Sequence, residues 1–359
     1  MRPSLNIIAA PTAKTLFLPL SVVLLFSLVV LSSISDKFFY KQAGFITLGI
    51  AFVFLFRKLD WQAVLSYRWF ITGLYTMSIF FLLLVLAIGP NIRNVKSWLF
   101  LGPFGFQPAE LVKIALILLY AEYFSRKHLS VARWKTILTS FSFFIVPAVL
   151  VAIQPAFGSA AVLFGIWFGF LLLSGLPRDK IFAALAVFIV AAFLMWNWGL
   201  KDFQKLRIEH FFYPEKNVLG ANYSVIQSKV AIGSAGMWGK GYGQGSQTQL
   251  GFLTDPGNDF VLAALIEEWG MAGGILVIGA FLALILGILK IGSLAMRNFE
   301  KFICLGAAIV FGSQFFMNAG SALGLVPVVG IPLPFLSYGG SSILTSFFLI
   351  AIIAGIGRK

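Results

Sequence analysis

The chain has 359 residues, of which 59% are hydrophobic and 11% charged, and its mean hydropathy is +0.93. Soluble domains carry about 25% charged residues, so the composition excludes an ordinary soluble domain and indicates an integral membrane protein. The net charge of +14 does not indicate nucleic-acid binding, because the basic residues are scattered through short loops. The single cysteine, Cys304, excludes an internal disulfide, and His128 and His210 are too far apart for a zinc site.

Ten apolar runs follow one another along the chain, and each has about the 20 residues that a helix needs to cross a bilayer. They predict an all-α polytopic membrane fold, with one integral membrane domain over residues 1–359 and a long extracytoplasmic loop at 201–258 between spans 7 and 8. The first run lacks a small-residue cleavage pattern, so we expect it to be retained. The predicted spans are 15–34, 40–56, 69–89, 108–125, 136–153, 157–175, 181–200, 259–289, 302–325 and 338–357.

The lysines and arginines orient these spans, because short cytoplasmic loops are enriched in them. With the N-terminus inside, sixteen of the 27 fall on the cytoplasmic side and ten outside, while Lys113 lies within a span. Six of the outer ten are in the 201–258 loop, and long loops cross the membrane regardless of charge. We therefore expect both termini to be cytoplasmic and the long loop to be extracytoplasmic.

The eighth and ninth spans contain helix breakers. The eighth includes Gly270 and the pair Gly273–Gly274, and the ninth runs into Pro327, Pro332 and Pro334. Irregular backbone at membrane depth is tolerated only where it is buried in protein or lines a cavity. A hinge between packed helices and a cavity lining are both open, and the nearby polar residues favour the cavity.

The segment from Asn222 to Gly270 is the least hydrophobic long stretch of the chain, and we expect it to hold the active site. Its run GKGYGQG (239–245) does not match the dinucleotide fingerprint, since no strand precedes it and no helix follows at once. Alternating glycines do allow close approach of the backbone to a ligand. Exposed amides with Lys229, Lys240 and Arg207 would then suit a pyrophosphate.

Four acidic residues and one lysine stand in or next to apolar sequence. Glu110 and Lys113 are three residues apart and share a helix face; they form either a structural ion pair or part of a polar cavity in which Lys113 meets an anion. Asp259, where the long loop enters the eighth span, is either a helix cap or a general base. Glu267 and Glu268 lie deeper in that span, where they serve proton transfer or pair with Lys113. Neither histidine has a partner for serine hydrolase chemistry.

Several motifs resemble one known family. They are KSWLFLGPFGFQPAELVKIAL (96–116), QPAFGS (154–159), RIEHFFYPE (207–215), YSVIQSKVAIGSAG (223–236), GKGYGQGSQTQLGFL continuing into DFVLAALIEEWG, and NAGSALGLVPVVGIPLPFLSYGGSS (318–342). Together they cover most of the chain and resemble the SEDS family (shape, elongation, division and sporulation) of peptidoglycan glycosyltransferases. GQGSQTQLGFL and GIPLPF are similar to the elongation branch, RodA, which maintains rod shape.

The resemblance implies that the chain polymerises lipid II on the outer side of the bacterial cytoplasmic membrane. The 4-hydroxyl of the acceptor GlcNAc attacks the donor MurNAc with inversion, and undecaprenyl pyrophosphate leaves. The family's aspartate in the loop-to-span motif corresponds to Asp259, which becomes the general base. The residues expected to contact substrate or pyrophosphate are Lys113, Glu110, Arg93, Arg207, Lys229, Lys240 and Gln247.

The chain departs from the family pattern at two motifs. The family's Pro-Glu-x-His-Thr-Asp-Phe is replaced by residues 254–260, TDPGNDF, in which Asp259 is retained, Asp255 takes the place of the glutamate and the histidine is lost. Ala156 replaces the aspartate of the QPDLGT motif. Asp255 is therefore a secondary candidate for the base.

The resemblance also implies partners and leaves the cofactor open. The partners are a class B penicillin-binding protein, which is the transpeptidase, and other membrane proteins of the elongation complex, but no nucleic acid. No resident cofactor is expected, although Mg²⁺ or Mn²⁺ would assist a pyrophosphate leaving group. Two other functions fit a polytopic chain with intramembrane charges: a lipid II flippase, and a non-catalytic scaffold that activates the penicillin-binding protein.

Overall fold

The computed structural model describes residues 11–56, 67–92, 95–102, 104–127, 133–194, 196–197, 202–213 and 222–358. Within these residues the fold is almost entirely helical, which confirms the predicted all-α class. The helices are α1 (Pro11–Ile34), α2 (Asp36–Phe56), α3 (Arg68–Ile88), α4 (Pro108–Lys127), α5 (Trp134–Ile153), α6 (Phe157–Leu173), α7 (Arg178–Leu194), α8 (Asp202–Phe212), α9 (Tyr223–Ser234), α10 (Ser246–Gln249), α11 (Val261–Leu294), α12 (Asn298–Leu323) and α13 (Gly340–Ile356).

Each of the ten predicted spans overlaps one of these helices. In the described part of the chain six helices are long and apolar enough to cross a membrane, namely α1, α2, α3, α5, α11 and α12. Helices α6 and α13 are apolar but shorter. The chain is therefore a multi-pass membrane protein, and the count of ten spans stays a prediction.

Two segments that hydropathy assigned to loops contain regular structure. Between α3 and α4, strands β1 (Leu99–Leu101) and β2 (Phe104–Phe106) form a short antiparallel hairpin. The 201–258 segment contains α8, α9 and α10. The expectation that no helix follows GKGYGQG at once is wrong, because the single turn α10 begins directly after Gly245.

Helices α4 and α12 form the centre of the bundle, where small residues allow close contact between helices. A Cβ on Gly306 of α12 would lie 2.7 Å from the Ile117 side chain of α4. Helix α11 runs antiparallel to α1: Gly287 lies against Thr15 near one end, and Glu268 bonds Ser33 near the other. This second end, against which residues 222–258 pack, is called the platform end of the bundle below.

Helix α11 is broken at Gly270, which confirms the predicted irregularity of the eighth span. Gly270 has φ 70° and ψ −175°, a conformation that is essentially restricted to glycine. The break frees backbone groups on both sides, and the turn at residues 236–241 pairs with them. The Lys240 and Gly241 amides donate to the Glu267 and Glu268 carbonyls (2.9 and 3.0 Å), and the Met271 and Ala272 amides donate to the Gly236 and Met237 carbonyls (3.0 and 3.1 Å).

The lengths on either side of this break show where the two glutamates lie. Residues 271–294 extend about 36 Å at helical rise, which by itself spans a hydrocarbon core of about 30 Å. Glu268 bonds Ser33, which lies one residue before the end of α1. Both glutamates therefore belong to the platform end of the bundle, beside the end of a span and away from the middle of the membrane.

The irregular segment after α12, residues 324–339, is partly exposed in its first half and largely buried from Ile331 to Ser337. Leu333, Phe335 and Leu336 are almost fully buried. The Ser27 hydroxyl donates to the Leu336 carbonyl at 2.8 Å, and Gln42 Nε2 donates to the Ser337 carbonyl at 3.1 Å. The predicted irregularity of the ninth span is therefore present, and its backbone is satisfied by polar side chains of α1 and α2.

Candidate active site

Asp259 lies in the turn that leads into α11, and its side chain is half-buried. One residue of α12 holds this turn in place. Asn318 Nδ2 donates to the Asp259 carbonyl at 3.1 Å and to the Ile331 carbonyl at 2.8 Å. Through Asn318 the backbone of Asp259 is held against both α12 and the 324–339 segment, which fixes the position of its side chain.

The 324–339 segment passes directly beside that carboxylate. Gly330 has φ +67°, and a Cβ built on it would lie 3.8 Å from Asp259 Oδ2. Further along, the Tyr338 amide donates to the Gly257 carbonyl at 2.8 Å, and its ring stacks on Phe38 at 4.8 Å.

Asp255 shapes the turn that carries Asp259. It has φ +47°, a left-handed conformation that aspartate tolerates better than most residues. Its carbonyl accepts from the amides of Asn258 at 3.0 Å and Phe260 at 3.4 Å. The position therefore has a clear backbone role, whatever its carboxylate does.

Glu110 and Lys113 form a buried ion pair in the first turns of α4, with 4% of each residue exposed. Lys113 Nζ lies 2.6 Å from Glu110 Oε1, and the Thr345 hydroxyl of α13 donates to Glu110 Oε2 at 3.1 Å. Neither residue contacts Glu267, so the suggestion that the deep acids pair with Lys113 is wrong. Lys113 pairs instead with Glu110, one turn away on the same helix, and Glu267 pairs with Lys240.

Helix α12 connects this pair to the Asp259 turn. Gln314 lines the small cavity that also contains Glu110 and Lys113, and Asn318, which holds Asp259, is four residues further along. Residues four apart share a helix face, and they are about 6 Å apart along the axis. The ion pair and the Asp259 turn therefore contact consecutive turns of one face of α12.

Glu267 anchors the 240–249 segment from the end of α11 that precedes the break. Its carboxylate is fully buried and accepts five hydrogen bonds. Oε1 accepts from Lys240 Nζ at 2.9 Å, the Gln247 amide at 2.8 Å and the Ser246 hydroxyl at 3.5 Å, and Oε2 accepts from the Thr248 amide and hydroxyl at 3.0 and 2.8 Å. One glutamate thus organises a glycine-rich segment that contains little regular structure.

Glu268 joins the same segment to α1. Its Oε1 accepts from the Ser33 hydroxyl and from Gln249 Nε2 at 3.3 Å. The Gly243 amide also lies close to this carboxylate, although the buried Oε2 accepts no hydrogen bond of normal geometry in the described structure. Gln249 Nε2 also donates to the Ser33 carbonyl at 3.0 Å. Glu268 therefore closes a three-way contact among α1, α10 and α11.

The other predicted site residues are not gathered around Asp259 in one cluster. Lys240 is bonded to Ser246 and Glu267, and Gln247 contributes its amide to Glu267 while its Oε1 is buried without a partner in the described structure. Lys229 is exposed on α9, and its Nζ lies 2.6 Å from a Cβ built on Gly324. Arg207 lies in α8, and the position of its side chain is outside the description, as is the whole of Arg93.

Sequence reasoning missed the residues that connect these groups. Asn318, Gln314 and Thr345 are polar residues within apolar helices, and Ser33 lies at the end of one. The signal that could have identified the first two is their spacing: two amides at i and i+4 in an apolar span share one face, and polar side chains in spans usually face the bundle interior.

No metal centre is built from the described side chains, in which no three histidine, cysteine, aspartate or glutamate residues come close enough to hold an ion. A divalent cation that arrives with a pyrophosphate needs only one or two protein carboxylates.

Comparison with known proteins places this arrangement in a family. Residues 8–359 match the FtsW/RodA/SpoVE family of cell cycle proteins. Among curated relatives, the peptidoglycan glycosyltransferase MrdB of Escherichia coli (strain K12) is 34% identical over 348 residues, which cover 96% of this chain and 91% of that protein.

Solved structures share the fold. One chain of a peptidoglycan synthase complex that coordinates polymerization and crosslinking is 26% identical, with a TM-score of 0.82 and coverage of 95% of this chain and 96% of that one. The rod shape determining protein RodA of Thermus thermophilus is 24% identical, with a TM-score of 0.73 and 98% coverage of both chains. These similarities confirm the resemblance to the SEDS family and its RodA branch, and the chain belongs to the FtsW/RodA/SpoVE family of cell cycle proteins.

Proposed function

We propose that this protein is a peptidoglycan glycosyltransferase that polymerises lipid II into glycan strands during cell elongation. The observation that carries the proposal is the placement of a half-exposed carboxylate, Asp259, on the same face of α12 as the buried Lys113–Glu110 pair. A base and a cation within reach of one substrate suit a transfer reaction that removes a proton and expels an anion. The glycosyltransferase activity of the MrdB relative supports the same reaction here.

In this proposal Asp259 is the general base. Its carboxylate accepts the proton of the acceptor GlcNAc 4-hydroxyl, and the freed oxygen attacks the anomeric carbon of the donor MurNAc from the side opposite the leaving group. The new glycosidic bond forms as the bond to pyrophosphate breaks, so the configuration inverts and undecaprenyl pyrophosphate leaves with the electron pair. The Asn318 contacts fix the Asp259 backbone, which lowers the entropic cost of positioning the base.

The leaving pyrophosphate requires positive charge, and preorganised charge at such a position is usually the largest catalytic contribution. Lys113 contributes its charge from within the bundle, where it is buried beside Glu110. Lys229 supplies it from the surface, where its ammonium group lies over the end of α12. We assign Lys240 to holding the 240–249 segment, because its ammonium is committed to Glu267 and Ser246. Arg93 and Arg207 remain candidates for the leaving group.

The proposal includes the setting of the reaction. We place the protein in the bacterial cytoplasmic membrane, with both termini cytoplasmic and the platform end outside, in agreement with the distribution of lysine and arginine. A class B penicillin-binding protein is the proposed partner, and the structural relative from a complex of polymerization and crosslinking supports it. We also propose that Mg²⁺ or Mn²⁺ accompanies the pyrophosphate.

The deciding experiment is glycan polymerisation from purified lipid II by the protein co-purified with its transpeptidase partner. Asp259→Asn is compared with Asp255→Asn, because both changes remove a charge without changing shape and both lie in one turn. We expect Asp259→Asn to lower kcat by about 10³-fold, within the contribution of a general base and its electrostatics. Asp255→Asn should retain activity within about threefold, because asparagine also tolerates the left-handed conformation.

Three results would contradict this assignment. Loss of polymer only with Asp255→Asn would move the base to that residue. Lipid II translocation in proteoliposomes without polymer from the wild type would favour a flippase. No polymer from any variant, together with stimulated crosslinking by the partner, would favour a scaffold.

A further inference from the structure

A cavity of about 10 Å³ lies between α4, α12 and α13 and touches the buried ion pair. Its polar lining comes from Glu110, Lys113, Gln314, Thr345 and Ser346, and the remainder is apolar. A site of this volume is the smallest that admits one water molecule, and a buried water needs two to four polar partners. The cavity provides both the space and the partners.

The side-chain amide of Gln314 faces this cavity without a described hydrogen-bond partner for its Nε2. Only 1% of the residue is exposed. A buried amide without a partner is unfavourable, and each such group in a native structure requires an explanation. Lys113 is in a similar position, because its ammonium carries three N–H donors and the described contacts direct one of them at Glu110.

The acceptor needed to complete this set is also present. Each Glu110 oxygen accepts one described hydrogen bond, Oε1 from Lys113 and Oε2 from Thr345, and a carboxylate offers about four acceptor positions. A water in the cavity can therefore accept from Gln314 and Lys113 and donate to Glu110. Three hydrogen bonds are typical of a buried water.

We propose that the cavity binds one ordered water and that Gln314, acting through it, is a positioning residue for the Lys113–Glu110 pair. The water completes the hydrogen bonding of the Lys113 ammonium group, which is buried beside Glu110 between three helices. Gln314 also lies one turn from Asn318, which holds Asp259, so α12 sets the positions of the base and the cation from one face. The catalytic part of this inference rests on the proposed glycosyltransferase function, whereas the water site does not.

The test uses the full chain co-purified with its transpeptidase partner and three variants. Gln314→Met keeps the length of the side chain and removes its polar atoms. Gln314→Asn keeps the amide donor and acceptor on a side chain that is one methylene shorter. Ser313→Ala is the matched control on the neighbouring position of α12, because its hydroxyl bonds only the Ile309 carbonyl of its own helix in the described structure.

Two measurements are made on each variant. The first is a high-resolution structure, in which we expect density for one water within hydrogen-bond distance of Gln314 and Lys113 in the wild type and none in Gln314→Met. The second is lipid II polymerisation, in which we expect Gln314→Met to lower kcat about tenfold with KM within twofold, since misplacement of a catalytic group affects the chemical step. Gln314→Asn should recover part of this loss because it retains an amide donor, and Ser313→Ala should stay within twofold of the wild type.

The two measurements separate failure of this inference from failure of the proposed function. Absence of the water in the wild type overturns the site. Presence of the water together with normal kcat in Gln314→Met overturns the positioning role. A water site in a wild-type protein that makes no polymer refutes the glycosyltransferase and the positioning role, and leaves the water site standing.

Discussion

The two adjacent glutamates at the break in α11 should respond in opposite ways to the same substitution. Glu267 is fully buried and accepts five hydrogen bonds, one of them from a lysine. Glu268 is also buried but has no ion-pair partner among the described residues, and one of its oxygens accepts no hydrogen bond of normal geometry there, with the Gly243 amide close by. Replacing each by glutamine removes a charge while the volume and the helix propensity change little.

The cost at Glu267 follows from its donors. Glutamine has one acceptor oxygen where glutamate has two, so its NH₂ group must replace either Oε1 or Oε2. At Oε1 it would face the donors of Lys240 and Gln247, and at Oε2 it would face those of Thr248. An unpaired buried donor costs about 1–3 kcal/mol, and loss of charge weakens each of two remaining hydrogen bonds by about 1 kcal/mol. The sum is roughly 3–5 kcal/mol, the range found when one member of a buried ion pair is removed.

At Glu268 the same change removes a buried charge without breaking an ion pair in the described structure. The amide oxygen can still accept from Ser33 and Gln249. The NH₂ group takes the place of an oxygen that accepts no hydrogen bond of normal geometry in the described structure, so it displaces at most the weak contact with the Gly243 amide. Removal of an uncompensated buried charge is favourable. We therefore expect Glu268→Gln to change local stability by less than about 1 kcal/mol or to increase it.

Hydrogen–deuterium exchange of peptides covering residues 245–250 in nanodiscs measures the difference. If exchange occurs through local opening, Glu267→Gln should accelerate it roughly 150- to 5,000-fold, at about 1.36 kcal/mol for each factor of ten. Glu268→Gln should leave it unchanged or slow it. Equal acceleration in both variants, or none in Glu267→Gln, would refute the inference that Glu267 anchors this segment.

Two further substitution pairs test other parts of the structure. Gly270→Ala should lower the free energy of unfolding by at least about 1–3 kcal/mol through backbone strain, and a Cβ there would also overlap the Met237 carbonyl. Gly279→Ala, with nothing within 4 Å of its Cβ, should be neutral or raise stability by up to about 1 kcal/mol. Thermal unfolding in detergent compares the two variants. Lys113→Met should destabilise by about 3–5 kcal/mol because it leaves Glu110 buried and unpaired. Adding Glu110→Gln should restore most of that stability without restoring polymerisation, and recovery of both would show that the pair is only structural.

Hydropathy predicted the helices because each span is a run of apolar residues long enough to cross a bilayer. The break at Gly270 was also predictable, since it falls among several glycines. The β1–β2 hairpin was not, because strands of three residues such as Leu99–Leu101 are too short to show a period of two within apolar sequence. Helix α9 was missed for a related reason, because its polar residues made it resemble a loop.

The individual residues of the site could be selected from the sequence, but the hydrogen bonds and ion pairs between them could not. Asp259 and the Glu110–Lys113 pair could be selected because charges next to apolar sequence are costly and therefore informative. The partner of Glu267 could not be selected, because Lys240 is brought to it by the turn over the helix break, a contact that depends on three-dimensional packing. Pairing of the deep acids with Lys113 was one alternative from sequence, and the packing instead pairs Glu110 with Lys113 and Glu267 with Lys240.

The contact between Glu268 and Ser33 constrains the order in which the chain can be completed. These residues are 235 positions apart, so at synthesis rates of about 5–20 residues per second the end of α1 is made roughly 10–50 s before its partner. Ser33 lies one residue before the end of its helix, where interfacial water can satisfy its hydroxyl during that interval. Because this polar contact is at the end of the span, the Ser33 hydroxyl is not left unpaired in the hydrocarbon while the first helix waits for its partner.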